Sequence, residues 1–214
     1  MYVINFNVRA ISHNTYVQTV GTILNSFLRI IKHTGFLFSS NIHVLILKYH
    51  SCIFLMMNRD WDNYESGFGN PDGNFWIGLK HLHNLVLDAL TELHVHLQAF
   101  NNETRYARYS SFSIADHSDK YRLSVSSYSG NAGDSLRIHD QMQFTTRDSD
   151  NDIYPDNCAI MFEGAWWYSE CHEANLNGRY YNEPMQSFGH GINWLTFRGH
   201  EESLKHVVMK IRRL

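Results

Sequence analysis

The chain has 214 residues, with Lys plus Arg 18 against Asp plus Glu 21, a formal net charge of −3, 43% hydrophobic residues and three cysteines. That length carries one large or two small domains with enough apolar material for a core, and the near-neutral charge lacks the basic excess of nucleic-acid binders. No run approaches the roughly 18 uninterrupted apolar residues of a membrane span.

Charge divides the chain. Residues 1–57 hold no Asp or Glu and four basic residues, Arg9, Arg29, Lys32 and Lys48, whereas the remaining 157 residues carry 14 basic and 21 acidic side chains, or −7. The break predicts two regions, 1–57 and 58–214. In the first, residues 20–31 read as a weak helix and 44–47 and 53–57 as short β-prone runs, without caps or clean periodicity. Polar residues interrupt every apolar stretch there, so no clear secretory signal is read.

From Asn58 the texture is rich in Trp, Tyr, Gly, Asn and Asp, and reads as a loop-rich α+β domain. Residues 79–90 are the best helix candidate, with Leu82, Leu85, Val86 and Leu90 on one face. Leu93, Val95 and Leu97 alternate with Glu92, His94, His96 and Gln98, which predicts a strand with one buried face. Two further strands, 105–114 and 121–128, are joined by a polar turn at 116–120, and so short a connection implies antiparallel pairing. Val207, Met209 and Ile211 alternate with His206, Lys210 and Arg212 in a last strand that docks back into the sheet. Past Gly130, glycine and asparagine punctuate nearly every segment, and long ordered loops of this kind need a metal or a disulfide to hold them.

Both are on offer at one place. Asp148, Asp150, Asp152 and Asp156 put four carboxylates within nine residues, and carboxylate and carbonyl oxygens suit a hard cation such as Ca²⁺. Like charges so crowded are unfavourable without a cation. An EF-hand would need Gly at its sixth position and Glu at its twelfth, where Ile153 and Ala159 stand. A solvated acidic turn is the other reading. Cys171 follows Cys158 by thirteen residues, and in an oxidised compartment a bridge there would stabilise by about 3 kcal/mol in the chain-entropy model. Cys158, Cys171 and His172 also form a partial zinc set, short of the usual four ligands. Cys52 is left unpaired.

Gly133-Asp134-Ser135-Leu136 spells the nucleophile motif of a class of serine esterases, yet no Asp-x-x-His follows it. No Walker loop, HExxH helix or G-x-S-x-G elbow occurs either, so the protein is not expected to be an enzyme. Asn102-Glu103-Thr104 is an N-glycosylation sequon in a turn between strands.

Taken in order, Trp61-Asp62-Asn63-Tyr64, Gly67-Phe68-Gly69-Asn70, Phe75-Trp76-Ile77-Gly78-Leu79, Tyr106-Ala107-Arg108-Tyr109, Tyr128-Ser129-Gly130-Asn131-Ala132-Gly133-Asp134-Ser135, Asp150-Asn151-Asp152, Asn157-Cys158-Ala159, Gly164-Ala165-Trp166-Trp167-Tyr168, Cys171-His172, Asn175-Leu176-Asn177-Gly178-Arg179-Tyr180 and Gly191-Ile192-Asn193-Trp194 resemble the fibrinogen C-terminal (fibrinogen-related) domain. The resemblance covers about residues 57–214 and absorbs the Ala-Gly-Asp-Ser stretch into the family's own pattern.

The resemblance implies a secreted, extracellular glycoprotein module with a central antiparallel sheet, short helices and a loop-rich C-terminal subdomain holding Ca²⁺. Its calcium ligands would be the side chains of Asp150 and Asp152 and the carbonyls of Tyr154 and Asp156, with Asp148 supporting. A Cys158–Cys171 bridge would pin the next loop. In ficolins and tachylectins, a small pocket beside the calcium loop holds an acetyl methyl between aromatic rings. Spacing from the cysteines carries that pocket to Phe162, His172, Phe188 and Gly189, with the Glu170-Cys171 peptide supplying backbone donors. Two departures stand out: Phe162 and Phe188 replace frequent tyrosines, and Gly189 replaces a frequent alanine. The function so implied is calcium-dependent, lectin-like binding of acetylated glycans in innate immunity. The alternative is an extracellular matrix or receptor-binding protein of tenascin, angiopoietin or microfibril-associated type. The family's N-terminal subdomain, with its own disulfide and Gly-Gly-Trp strand, is not matched in residues 1–57, which are read as misassigned or disordered. Neither a G-X-Y run nor a sustained heptad occurs, so a homo-oligomer would form through the globular domain.

Overall fold

A computed structural model describes residues 43–50, 58–184 and 187–214. The expected helix at 20–31, the run at 53–57 and Cys52 lie outside the described residues.

The period-two segments pair into one large antiparallel sheet. In chain order its strands are β1 (His43–His50), β2 (Phe68–Gly69), β3 (Phe75–Trp76), β4 (Thr91–Gln98), β5 (Thr104–Ile114) and β6 (Leu123–Gly130), with β9 (His206–Arg213) at the C-terminal end. Their spatial order is β2-β3-β1-β9-β4-β5-β6. β9 therefore lies beside β1, the first described strand, with Leu47 opposite Met209, while Val95 faces both Met209 and Ala107. A minor sheet of β7 (Ala174–Asn175) and β8 (Asn193–Trp194) belongs to the loop-rich part.

Alternation decides which side is buried. Leu47, Leu93, Val95, Leu97, Ala107 and Tyr109 are at most 1% exposed, and Val207, Met209 and Ile211 join them on the core side. Against this face pack α1 (Trp61–Ser66) and α2 (Leu79–Val86). Asp60 caps α1 by accepting from the Asn63 amide. An aromatic cluster closes the space between the sheet and the loops: Trp76 stacks on Phe144 at 6.0 Å, and Phe144 meets Trp167 edge-on at 5.1 Å. Two shorter helices, α3 (Cys158–Met161) and α4 (Leu195–Arg198), sit in the C-terminal half.

Two expectations differ from the structure. The division at residue 57 does not coincide with the edge of the folded unit, because β1 pairs with both β3 and β9 inside the sheet. β1, whose Ile46 and Leu47 are fully buried, belongs to the sheet although it falls on the acid-free side of that break. The helix expected over 79–90 stops at Val86, since Leu87 is already extended, Asp88 takes a positive φ of 57° and Leu90 is 80% exposed. Leu90 falls in phase with the apolar face by coincidence, and the backbone leaves the helix to enter β4 at Thr91.

Candidate functional site

The acidic loop is held by its neighbours before any ligand is considered. Asn151 donates through its side-chain amide to the Phe144 carbonyl at 2.8 Å, and the Thr145 hydroxyl accepts from the Asn151 N–H at 3.0 Å. Asp152 Oδ2 accepts from the Cys158 N–H at 3.1 Å, while its Oδ1 accepts from the Tyr154 N–H, also at 3.1 Å. Asp148 points elsewhere: its Oδ1 accepts from the Trp61 N–H at 2.9 Å and the Thr146 hydroxyl at 2.7 Å, which ties the loop to the start of α1. That is a supporting position.

Asp150 and Asp152 stand two residues apart, and the Asp150 carboxylate accepts from the Asp152 N–H at 3.4 Å. Burial, reinforced by the negative charge of Asp150, pushes the Asp152 carboxyl up to about 6. The two carboxylates repel each other, and the carbonyls of Tyr154 and Asp156, the backbone oxygens expected to join them, accept no hydrogen bond among the described residues. Such oxygens suit a hard cation and not a thiophilic one. Among the described residues no three His, Cys, Asp or Glu side chains converge on one point, so these two carboxylates would rely on backbone oxygens to complete a shell.

Cys158 opens α3 directly after this loop, and its sulfur is bonded to that of Cys171, with the two Cα atoms 5.5 Å apart. The bridge ends the zinc alternative, because neither sulfur is a thiolate. The Glu170–Cys171 peptide bond is cis. Ser169 N–H donates to the Cys171 carbonyl at 2.8 Å, so the backbone doubles back within this turn. Glu170 itself is exposed.

The turn delivers His172 into an aromatic enclosure. The Phe162 ring meets the imidazole edge-on at 4.6 Å, Tyr168 lies at 6.0 Å and the His200 ring at 5.1 Å. Phe188, 60% exposed, forms the open side and tilts against His200 at 4.6 Å. Gly189 is where the walls meet: at φ +77°, a Cβ there would sit 2.7 Å from Phe162 Cε1 and 3.2 Å from His172 Nε2. Its N–H donates to the His200 carbonyl at 2.8 Å, which fixes the two loops together. The structure thus brings together Phe162, Cys171, His172, Phe188 and Gly189. It adds His190, whose ring lies 5.8 Å from Phe162, and His200. Sequence reading missed both histidines, since nothing local marks them and only the return of the backbone from α4 places His200 there.

His172 is 8% exposed, and neither ring nitrogen finds a hydrogen-bond partner among the described residues. Burial, with help from His139 and His200, holds its pKa down to about 3, a shift that the nearby Gly189 backbone opposes only in part. The imidazole is therefore neutral, a polar group in an apolar enclosure with its hydrogen-bonding capacity unspent. Behind it His139, fully buried and lowered to about 4 by burial, donates from Nδ1 to the Trp167 carbonyl at 2.6 Å. Its Nε2 accepts from the Glu173 and Ala174 N–H groups at 3.2 and 3.1 Å.

Ser135 of the esterase-like motif is fully buried and hydrogen-bonded to the Thr196 hydroxyl at 2.8 Å. Asp134 accepts from the Tyr109 hydroxyl at 2.6 Å. Both side chains are engaged in packing the loops onto the sheet. Asn102 of the sequon is exposed at a positive φ of 67°, in the turn between β4 and β5.

A wide antiparallel sheet thus presents disulfide-pinned loops around an aromatic enclosure. The protein belongs to the family defined by the C-terminal globular domain of the fibrinogen beta and gamma chains, whose model matches residues 47–214. It is 48% identical over 159 residues to fibrinogen C domain-containing protein 1 of Homo sapiens, covering 72% of this chain and 34% of that protein. To ryncolin-4 of Cerberus rynchops it is 43% identical over 155 residues, covering 72% and 45%. The chain thus spans between a third and a half of the length of these relatives. Among solved structures, the fibrinogen-like globe domain of human ANGPTL2 superposes with a TM-score of 0.78 at 36% identity, covering 81% of this chain and 83% of that one. Lamprey fibrin D-dimer, complexed with the peptide Gly-His-Arg-Pro-amide, gives a TM-score of 0.76 at 31% identity and covers 79% and 61%. Domains of this family are generally extracellular, and among the described residues no helix is long and apolar enough to cross a membrane.

Proposed function

We propose that the domain is a calcium-dependent, secreted lectin module that takes the acetyl group of a glycan into the enclosure of Phe162, His172, Phe188 and Gly189. The observation that carries this reading is His172, buried between Phe162 and His200 with both nitrogens unpartnered among the described residues and with exposed Phe188 at the entrance. An apolar wall with a few oriented polar groups is the usual design of a small-ligand site. The rings would enclose the acetyl methyl, while the neutral imidazole and the backbone of the Glu170–Cys171 turn would meet its polar atoms. Ca²⁺, held by Asp150, Asp152 and the carbonyls of Tyr154 and Asp156, would neutralise the paired carboxylates and keep the loop before Cys158 in place. Phe162 and Phe188 lack phenolic hydroxyls, so the methyl contact is kept with fewer hydrogen bonds.

A glycan array bearing N-acetylated and non-acetylated sugars, read with Ca²⁺ and with EDTA, tests the proposal. Binding confined to acetylated sugars and abolished by EDTA is expected; binding indifferent to EDTA, or to no acetylated ligand, would sink it. Asp150→Ala should bring the melting temperature in Ca²⁺ down to the EDTA value, and an unchanged melt would remove the cation from that loop.

The second reading, an extracellular matrix or receptor-binding domain of tenascin, angiopoietin or microfibril-associated type, is favoured by the peptide complex of the lamprey neighbour. A domain that retains peptides or protein ectodomains while ignoring every acetylated sugar would support it.

A further inference from the structure

One face of the large sheet is closed by helices and aromatic rings, and the other gathers positive charge. Register places Lys48 of β1, Lys210 and Arg212 of β9 and Arg108 of β5 on that second face. Lys210, His94 and Arg108 form one transverse row across β9, β4 and β5. Neighbouring strands are about 4.8 Å apart, so the backbones bearing Lys210 and Arg108 stand roughly 10 Å apart. Glu92, 3% exposed, faces Arg212 at 3.2 Å and pairs with Arg108. Four cations against this one carboxylate leave the face at +3, in a protein whose total is −3.

The two lysines are the available charges. Lys210 has no ion-pair partner among the described residues, and Lys48 Nζ donates to the backbone carbonyl of Asp72 at 3.2 Å. Beside the row, His94 stacks on Tyr106 at 5.7 Å and 27°, and Tyr106 is 42% exposed. Cations spaced along a flat surface match an extended, repeatedly charged polymer better than a compact anion, which needs converging donors. An exposed ring adds a face on which a sugar can lie. Since domains of this family are generally extracellular, the polyanion such a face meets is a glycan and not a nucleic acid.

We propose that this face of the sheet binds a sulfated polysaccharide, at a site separate from the aromatic enclosure. The partner is recognised by Lys48, Lys210 and Arg108, with Tyr106 beneath a sugar ring. Because the contacts are charge pairs at a surface, binding weakens as salt rises and does not require calcium.

Heparin immobilised on a biosensor, with the whole protein in solution in EDTA at near-physiological salt, tests it. Binding is expected, and Lys48→Ala/Lys210→Ala should lower the affinity by roughly tenfold and make its salt dependence shallower. Lys80→Ala, an exposed change on α2, should match the unmodified protein. If the double variant melts early, Lys210→Gln alone gives the same comparison on an intact fold. Equal affinity of these variants and the unmodified protein overturns the proposal. So does equal binding of fully desulfated heparin or of duplex DNA, and so does a dimer in the ultracentrifuge that the double variant abolishes, which would assign the face to a second copy.

Discussion

At the scale of single residues, Gly189 is the position where the enclosure has least freedom. Its positive φ disfavours any L side chain, and its missing Cβ is the space that the Phe162 edge occupies. Gly189→Ala should cost roughly 2–4 kcal/mol by combining backbone strain with overpacking. In a Phe162→Ala background the overpacking disappears, and the cost should fall to about 1–2 kcal/mol. Urea titration of the four proteins measures the difference; strictly additive losses would mean that the two positions do not touch. The family resemblance marked Phe162, His172, Phe188 and Gly189, because its pocket could be carried over by spacing from Cys158 and Cys171. His190 and His200 carried no such ruler. Their place in the site is set by the Gly189 to His200 hydrogen bond, which joins residues whose only shared property is that two loops meet there.

At the scale of elements, β1 shows what a composition boundary measures. Acidic side chains are absent from it, Ile46 and Leu47 are fully buried on the core side, and its one lysine, Lys48, lies on the opposite face of the sheet. Leu47, fully buried opposite both Trp76 and Met209, ties the strand to its neighbours. Leu47→Ala should destabilise the domain by about 2–5 kcal/mol, as large-to-small changes in a core do. A shift below about 0.5 kcal/mol, the range of ordinary surface substitutions, would place β1 outside the cooperative unit. The long strands were legible because period two survives eight residues; β2, β3, β7 and β8, of two residues each, are too short to carry a period at all. They exist because the loops that bear them are held by Trp76, Trp194 and the disulfide.

At the scale of the whole molecule, the buried histidines make stability depend on pH. His139 and His172 are held near 4 and 3, below the ordinary value of about 6.5 that they recover on unfolding. The unfolded protein therefore binds more protons between about pH 6.5 and those values, and stability falls as pH falls through that window. Each histidine should remove about 2 kcal/mol by pH 5 relative to neutral pH. Replacing His172 by Gln should flatten the slope of unfolding free energy between pH 5 and 6 by roughly 1.2 kcal/mol per pH unit. An unaltered slope would mean that the imidazole is not held neutral. The overall net charge gave no hint of the cationic sheet face, because its members come from strands far apart in sequence and are summed with an acidic loop that folding places elsewhere.

The strand order also governs when the molecule can form. β9 inserts between β1 and β4, so the ladder at the middle of the sheet joins the beginning of the domain to its end, with Lys48 paired to Val208. Pairings of such long sequence separation slow folding, because the loop must close before the contacts repay it. β4, β5 and β6 can assemble as a local meander while the polypeptide is still emerging from the ribosome, but β1 and β4 each keep an open edge until β9 arrives. The sheet is therefore completed only once β9 has been made, and until then two unpaired edges lie at what becomes its centre.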